Sequence, residues 1–432
     1  MTSRRNLDFI ASPALPIAAG LAMSLLILWL ILHMGQLGSH IPQPHILGDY
    51  LTGWLYALLF MGILLLLPVY EKRAVCAVWA VKSTLDLSGM LFYEQHYGLD
   101  AYGYYDYGAW GHHHNIWPVF GNGTLTMLHF SVLAALFTGT SYHAMKLAYS
   151  FVALFGCYWF YRAACHYLDR RDARVLYFIC FIPSVLFWSS ILGKDPVAFF
   201  GTGLYAFGVV AWLRTQRLRY CVPLVLGVAI AMFIREWYGF VMIAPVLIVF
   251  GLRMPRLGQR IFALLCSLAA IYESFKIFRR QFALNSIHRT VLVASTMIKN
   301  LSYGGSADRF QGFHTTLGML KFLPWGIFTA LYRPLPWDIR NPMMVLNAFE
   351  GSALLLLSIS AFKYMKFRDL RDPVILWAWL FIGCWAVLYG IGGYGNLGML
   401  VRERLQIMPV FAMFVTLFGW PKARWNIRKN YG

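Results

Sequence analysis

Acidic residues are scarce in this chain of 432 amino acids. Aspartate and glutamate together number 18, against 37 lysines and arginines, and charged residues make up 13% of the total. A soluble globular domain carries about 25% charged residues, so the shortage of charge argues against a water-soluble protein. The net charge of +19 then indicates basic loops that orient membrane segments and contact anionic lipid, and no nucleic-acid partner is predicted.

Cysteine is also infrequent, and its pattern predicts no special chemistry. The seven cysteines form no CxxC pair and lie mostly within apolar runs. They are therefore predicted to be small core residues that build neither a disulfide framework nor a metal site. The sequence also lacks an internal repeat, a low-complexity tract and a segment with the composition of a water-soluble domain. We predict a single integral membrane domain over residues 1–432.

Apolar residues are abundant and make up 59% of the sequence. Many apolar runs approach the roughly 20 residues that a helix needs to cross a bilayer. We therefore predict an all-α, polytopic membrane protein with about 11–12 transmembrane helices. The predicted spans, with 221–252 as a hairpin, are 13–33, 51–70, 143–164, 174–192, 196–213, 221–252, 260–276, 344–362, 373–391 and 405–420.

Clusters of lysine and arginine fall at every second turn between these spans, an alternation that is typical of cytoplasmic loops. The alternation places two long segments, 71–142 and 277–343, on the outer side. The first has the composition of interfacial helices in an outer loop, and the second is a basic outer loop. The short turns that fall on the same outer side are 193–195, 235–237 and 392–404.

The N-terminal part of the chain fits this alternation less well. If Met1 is inside, residues 71–95 have to cross the membrane, yet they contain Lys82, Asp86 and Glu94, which makes a poor span. If Met1 is outside, two nearby arginines lie on the side that the positive-inside rule disfavours. The side of the N-terminus is therefore left open.

An acidic, aromatic stretch at residues 97–107 contrasts with the rest of the chain. It places Asp100 and Asp106 among tyrosines that include Tyr102. A carboxylate beside a sugar hydroxyl can act as a general base, and tyrosine rings offer stacking faces for sugars at headgroup level. The same pattern is typical of an interfacial helix with an aspartate cap and belt tyrosines. Both interpretations stay open.

Two further charged pairs lie at the predicted outer turns. Lys194 and Asp195 stand at the start of a span, where a lysine opposes the helix dipole, and a facing lipid phosphate would explain it. Arg235 and Glu236 interrupt an apolar stretch. They are either a functional pair, as charges at membrane depth usually are, or an ion pair at a hairpin tip.

Positive charge also occurs at the outer end of the last predicted span. Arg402 and Arg404 have guanidinium groups suited to two-point contacts with phosphate oxygens, although anchoring to lipid headgroups is the alternative. The run from His112 to His114 does not predict a metal site, because adjacent histidines cannot all turn to one ion and no second ligand cluster has the usual spacing.

Several short motifs together form an arrangement found in a known family. The outer loop carries Asp100-Ala-Tyr, a later stretch reads Phe181-Ile-Pro-Ser-Val-Leu-Phe-Trp-Ser-Ser-Ile-Leu-Gly-Lys-Asp195, and the last span begins Arg402-Glu-Arg-Leu-Gln-Ile-Met-Pro409. From about residue 90 onward, the chain resembles the GT-C superfamily of polytopic glycosyltransferases. The nearest types are bacterial protein-mannosyltransferases and aminoarabinose transferases.

This resemblance implies roles for particular residues. The family's first outer loop carries the catalytic carboxylate, which implies Asp100, with Asp106 second. The family's basic residues near the last spans bind the donor phosphate. The substrate-binding residues implied or considered with them are Tyr102, Lys194, Asp195, Arg235, Glu236, Arg279, Arg280, Arg402 and Arg404.

Together these features predict a membrane glycosyltransferase of the inverting type. Its donor is a sugar linked to polyprenyl phosphate or pyrophosphate, its acceptor is a glycan or lipid, and it also contacts membrane lipids. The expected location is the bacterial inner membrane, with the site facing the periplasm, because nucleotide sugars are cytoplasmic and an outward site needs a lipid-carried donor. No cofactor is predicted, and a divalent cation is left open.

The acceptor distinguishes the first alternative function. The segment Leu331-Tyr-Arg-Pro-Leu-Pro-Trp-Asp-Ile-Arg340, followed by Glu350, is similar to membrane proteins of bacterial polysaccharide pathways. An O-antigen or exopolysaccharide polymerase that joins lipid-linked repeat units is therefore one alternative. A lipid-linked-glycan flippase is the other.

Overall fold

The protein is described by a computed structural model over residues 14–97, 99–111, 115–281, 315–392 and 395–420. Within these ranges the chain forms helices joined by turns and contains no β-strand. The predicted all-α class is therefore confirmed for this part of the chain.

Within the described ranges most helices are joined by short connections. Those up to residue 215 are α1 (Ala14–Leu32), α2 (Met34–Leu37), α3 (Ile46–Leu66), α4 (Lys72–Thr84), α5 (Met90–His96), α6 (Asp100–Trp110), α7 (Gly123–Thr138), α8 (Tyr142–Leu168), α9 (Ala173–Cys180), α10 (Pro183–Trp188) and α11 (Lys194–Thr215). Those that follow are α12 (Cys221–Ile234), α13 (Glu236–Leu252), α14 (Leu257–Gln281), α15 (Thr316–Tyr332), α16 (Pro342–Tyr364), α17 (Pro373–Gly392), α18 (Leu397–Arg404) and α19 (Met408–Gly419).

Polar side chains set the start of several helices. Asn122 accepts a hydrogen bond from a backbone N–H in the first turn of α7, and Ser141 does the same for α8, at 2.9 and 3.1 Å. Asn341 and Asn396 cap α16 and α18 in the same way, both at 3.1 Å. These caps satisfy backbone donors that a helix leaves free at its N-terminus, so they fix where each helix begins.

Five of the described helices are long and apolar enough to cross a membrane: Ile46–Leu66, Lys72–His96, Lys194–Thr215, Met344–Tyr364 and Pro373–Ile391. The pair α7 and α8, bent by 111°, adds a sixth if it is counted as one broken span. In the part of the chain that the structure describes, the expected 11–12 spans are not reached, because several predicted runs form shorter helices. Arg235 divides the run 221–252 into α12 and α13, and Pro183 divides the run 174–192 into α9 and α10.

The helix from α4 through α5 differs from the expectation of an interfacial segment. Together with the π-helical stretch Leu85–Gly89 it forms a 25-residue candidate span. Two of its charged side chains, Lys82 and Glu94, have partners inside the bundle. The Lys82 Nζ donates to the hydroxyls of Ser189 and Ser190 at 2.6 and 2.8 Å. The carboxylate of Glu94 pairs with Lys146 at 3.0 Å, with both side chains almost fully buried.

Helix α11 occupies the centre of the bundle, where most of its side chains are buried. It packs closely on α8, and a Cβ atom added at Gly203 would lie 2.4 Å from the carbonyl oxygen of Gly156. The contact therefore requires glycine at that position. Because α11 is held on all sides, its N-terminal residues Lys194 and Asp195 have a fixed position at one end of the bundle.

Candidate functional site

A cluster of charged side chains surrounds the N-terminal end of α11. Its members, called the charged cluster below, are Asp100, Lys194, Asp195, Arg235, Arg402 and Glu403. Asp195 is the centre of the cluster: one carboxylate oxygen accepts from Arg235 Nη2 at 3.1 Å, and the other accepts from Arg402 Nε. Only 3% of the Asp195 side chain is exposed, so both ion pairs are largely shielded from solvent.

Arg235 joins α11 to the C-terminal helices. It lies in extended backbone between α12 and α13, and its guanidinium contacts Glu403 as well as Asp195. Glu403 in turn accepts a hydrogen bond from Gln406 Nε2 at 2.8 Å, and Gln406 also lies 3.3 Å from the Tyr389 hydroxyl. Arg235 therefore bridges two carboxylates that come from distant parts of the chain.

Asp100 is the most open carboxylate of the charged cluster. It is the first residue of α6, and 74% of its side chain is exposed. One carboxylate oxygen lies 4.0 Å from Arg402 Nη1. Since Asp195 and Glu403 are buried and already accept hydrogen bonds from arginine, Asp100 is the carboxylate of the cluster with accessible acceptor positions.

Tyr104 lies one turn further along α6, close enough to Asp100 and Arg402 to interact with both charges. Burial raises the pKa of Tyr104 to about 12, the Asp100 carboxylate adds to the increase, and Arg402 opposes it. The hydroxyl is therefore protonated at neutral pH. It presents a hydrogen-bond donor near Asp100.

Lys194 is the third cation of the charged cluster. Its Nζ donates to the hydroxyl of Thr124 at 2.7 Å. It also interacts electrostatically with Asp100 and Asp195, and it is repelled by the two arginines Arg235 and Arg402. With Lys194 included, the charged cluster holds three cations and three carboxylates, so its formal charges cancel.

The structure brings together five of the residues selected from the sequence: Asp100, Lys194, Asp195, Arg235 and Arg402. They come from turns that the alternation of basic loops placed on one side of the membrane. Glu403, Gln406, Tyr389 and Tyr104 were not selected. Glu403 lies between two selected arginines, and this position is the only signal of it in the sequence.

Four of the selected residues whose side chains are described do not take part in the charged cluster: Asp106, Tyr102, Glu236 and Arg404. Asp106 is exposed on another face of α6, because six residues of helix correspond to 1.7 turns. The Tyr102 hydroxyl donates to the backbone carbonyl of Glu94 at 3.0 Å, and Glu94 is not a member of the charged cluster. Glu236 faces Gly121, and the ion pairs of Arg235 are with Asp195 and Glu403, so the predicted pair at a hairpin tip is wrong.

Arg404 is oriented differently from the expectation of a phosphate-binding pair. The side chain is fully buried, and its guanidinium donates to the carbonyl oxygens of Leu331 and Arg333. Residues two apart on a helix do not share a face, so Arg402 and Arg404 point to different surroundings. The side chains of Arg279 and Arg280, and residues 282–314 of the basic segment 277–343, lie outside the described part of the chain.

An apolar cavity of about 480 Å³ lies beside Arg404. It is enclosed by α15, α16, α17 and α19, and its wall includes Leu331, whose carbonyl accepts from Arg404, and the half-polar side chains Tyr332 and Ser358. Helix α18 therefore carries Arg402 in the charged cluster and Arg404 next to an apolar cavity.

Within the described ranges, no group of three His, Cys, Asp or Glu side chains is arranged to hold a metal ion. The run from His112 to His114 lies outside those ranges. Comparison of the whole chain with protein-family models, with curated proteins and with solved structures finds no match.

Proposed function

We propose that this protein is a membrane glycosyltransferase that moves a sugar from a polyprenyl-phosphate-linked donor to a glycan or lipid acceptor. One observation carries the proposal: the exposed carboxylate of Asp100 lies 4.0 Å from the guanidinium of Arg402. An open proton acceptor beside a cation is the arrangement that sugar transfer from a phosphate requires.

The proposed reaction assigns a role to each of these charges. The acceptor hydroxyl attacks the anomeric carbon of the donor sugar and gives its proton to Asp100. A new glycosidic bond forms as the bond between the anomeric carbon and the phosphate oxygen breaks. Arg402 and Lys194 stabilise the negative charge that develops on the departing phosphate. Tyr104, protonated at neutral pH, orients a sugar or phosphate oxygen.

The candidate spans support an outward position for this site. If the shorter apolar helix α1 crosses the membrane as well as the candidate spans Ile46–Leu66 and Lys72–His96, Arg4, Arg5 and Lys72 lie on one side and Asp100 lies on the other. This arrangement satisfies the positive-inside rule and supports an N-terminus on the inner side. We therefore assign the charged cluster to the periplasmic face of a bacterial inner membrane, where donors are lipid-linked.

The apolar cavity beside Arg404 supports a lipid-linked donor. Its volume of about 480 Å³ falls in the range of small-molecule sites, and its walls are almost entirely apolar side chains. An isoprenoid segment fits that chemistry. Leu331 lines the cavity and accepts a hydrogen bond from Arg404, two residues from Arg402, so we infer that a lipid held there keeps its phosphate near the charged cluster.

The test compares two identical substitutions on one helix. Cells that lack this protein are complemented with wild type, Asp100→Asn or Asp106→Asn, and their envelope glycans and protein levels are quantified. We expect Asp100→Asn to lower transfer by about 100-fold or more, the usual contribution of a general base, whereas Asp106→Asn retains transfer. Full transfer by Asp100→Asn at normal protein level would reject the proposed base.

The products in the cells without this protein identify the acceptor class. Glycans that lack one sugar in each repeat indicate transfer of single sugars. Accumulation of single lipid-linked repeats indicates a polymerase with the same charged cluster.

A lipid-linked-glycan flippase is the second candidate, and buried charge away from the charged cluster favours it. Lys82, Glu94 and Lys146 are each at most 1% exposed and lie within candidate spans, and ionisable groups at such depth often mark transport pathways. Purified protein in liposomes separates the two functions. Movement of a labelled polyprenyl-linked sugar across the bilayer without sugar transfer would favour the flippase.

A further inference from the structure

A second polar pocket lies at the end of the bundle opposite the charged cluster. Its volume is about 370 Å³, and it is formed by the last turns of α8, the turn that follows, and the short 3₁₀ helix Leu218–Tyr220 after α11. The 22 residues of α11 span about 33 Å. This pocket, called the arginine pocket below, is therefore separate from the site proposed for sugar transfer.

Two guanidinium groups in the arginine pocket share one aromatic ring. The Arg162 Cζ lies 4.2 Å and the Arg171 Cζ lies 3.6 Å from the centroid of the Tyr70 ring. Cation–π contacts hold a guanidinium in place but leave its positive charge in full. Tyr70 itself is anchored, because its backbone N–H donates to the Tyr158 hydroxyl at 2.9 Å. Two like charges are thus held against a fixed ring.

Carboxylates do not neutralise these arginines. In the described part of the chain, none lies within 4 Å of the guanidinium of Arg162, Arg171 or Arg219. Asp169 is the one acidic residue that lines the pocket. Neighbouring Arg170 is paired with Asp172 at 3.4 Å. The arginine pocket therefore has an excess of positive charge.

We propose that the arginine pocket binds a phosphate-bearing anion, either a free phosphate compound or the headgroup of an anionic lipid. Guanidinium groups donate in a planar fork that matches phosphate oxygens. A pocket of about 370 Å³ has room for a phosphate with a small substituent. An anion between Arg162 and Arg171 would balance the two charges that Tyr70 holds together. This inference does not depend on sugar transfer.

The experiment uses the full chain, purified in uncharged detergent, with two probes. Calorimetric titration with inorganic pyrophosphate tests a free phosphate. Transfer into nanodiscs of phosphatidylglycerol, compared with phosphatidylcholine, tests a lipid headgroup through the change in melting temperature. The variants are Arg162→Gln and Arg171→Gln. Arg217→Gln is the matched control, because Arg217 is exposed, lies two residues from Arg219 and does not line the pocket.

We expect Arg162→Gln and Arg171→Gln each to weaken pyrophosphate binding by about tenfold or more, as removal of a charge-assisted contact does. Arg217→Gln is expected to bind like wild type. If pyrophosphate does not bind, but phosphatidylglycerol stabilises wild type and Arg217→Gln more than the pocket variants, the ligand is a lipid headgroup.

Equal behaviour of the pocket variants and Arg217→Gln with both probes would overturn the proposal. Loss of folding is a concern for Arg162, which is partly buried, and not for Arg171, whose side chain is exposed. Arg171→Gln therefore decides the outcome if Arg162→Gln melts below wild type in the absence of ligand.

Discussion

Arg235 is the residue on which the charged cluster depends most. Its guanidinium contacts both Asp195 and Glu403, and about a tenth of its side chain is exposed. Removing one partner of a buried ion pair leaves the other charge desolvated and unbalanced. Glu403 would keep only its hydrogen bond from Gln406.

We therefore expect Arg235→Met to lower the free energy of unfolding by about 3 kcal/mol. The same substitution at exposed Arg217 is expected to change it by less than about 0.5 kcal/mol. The measurement compares melting temperatures, taken as the temperature at which each variant loses its monodisperse peak in size-exclusion chromatography. Equal melting temperatures for the two variants would contradict the role given to Arg235.

The sequence identifies several residues of the charged cluster, but it does not show which way each side chain points. Lys194, Asp195, Arg235 and Arg402 could be predicted from the sequence because they place charge at predicted outer turns or inside an apolar stretch. Arg404 was selected for the same reason, but the register of α18 turns it toward the backbone of Leu331. Side-chain direction depends on where a helix begins and what packs against it, and composition does not contain that information.

At the scale of the element, glycine allows two helices to pack closely, as α8 and α11 do. The carbonyl oxygen of Gly156 leaves no room for a Cβ atom at Gly203. Gly62 in α3 is different, since nothing lies within 4 Å of an added Cβ atom there. Both glycines lie inside candidate spans, Gly62 in Ile46–Leu66 and Gly203 in Lys194–Thr215.

Gly203→Ala is therefore expected to lower stability by about 1–3 kcal/mol, the usual cost of overpacking a core. Gly62→Ala is expected to be neutral or slightly stabilising, because alanine is the better helix former. The two melting temperatures, measured in the same detergent, test this difference. A Gly203→Ala variant as stable as Gly62→Ala would indicate that α8 and α11 are further apart.

The sequence also predicted the existence of the helices better than their lengths. The apolar runs correctly predicted helices, but their lengths were overestimated where Pro183 and Arg235 interrupt them. The sequence did not predict that α4 through α5 could span the membrane, because Lys82 and Glu94 are charged residues and charges are unfavourable in a span. Their partners Ser189 and Lys146 are about 107 and 52 residues away in sequence, and only the folded chain brings them together.

At the scale of the whole molecule, the proposed orientation places α6 outside and the turn after α11 inside. Asp106 and Arg217 are both exposed. A single cysteine at Asp106 therefore reports on the proposed outer side, and a single cysteine at Arg217 reports on the proposed inner side. In a background without the seven native cysteines, a membrane-impermeant maleimide should label Asp106→Cys in spheroplasts. It should label Arg217→Cys only after permeabilisation. The reverse pattern would place the charged cluster in the cytoplasm.

Helix α11 runs without interruption from Lys194 to Thr215, and its side chains are buried along nearly the whole length. Close-packed interiors transmit strain, and α11 has neighbours along its whole length, so it leaves little room for a local bend. Its two ends, at Lys194 and Thr215, are therefore joined by one continuous packed helix.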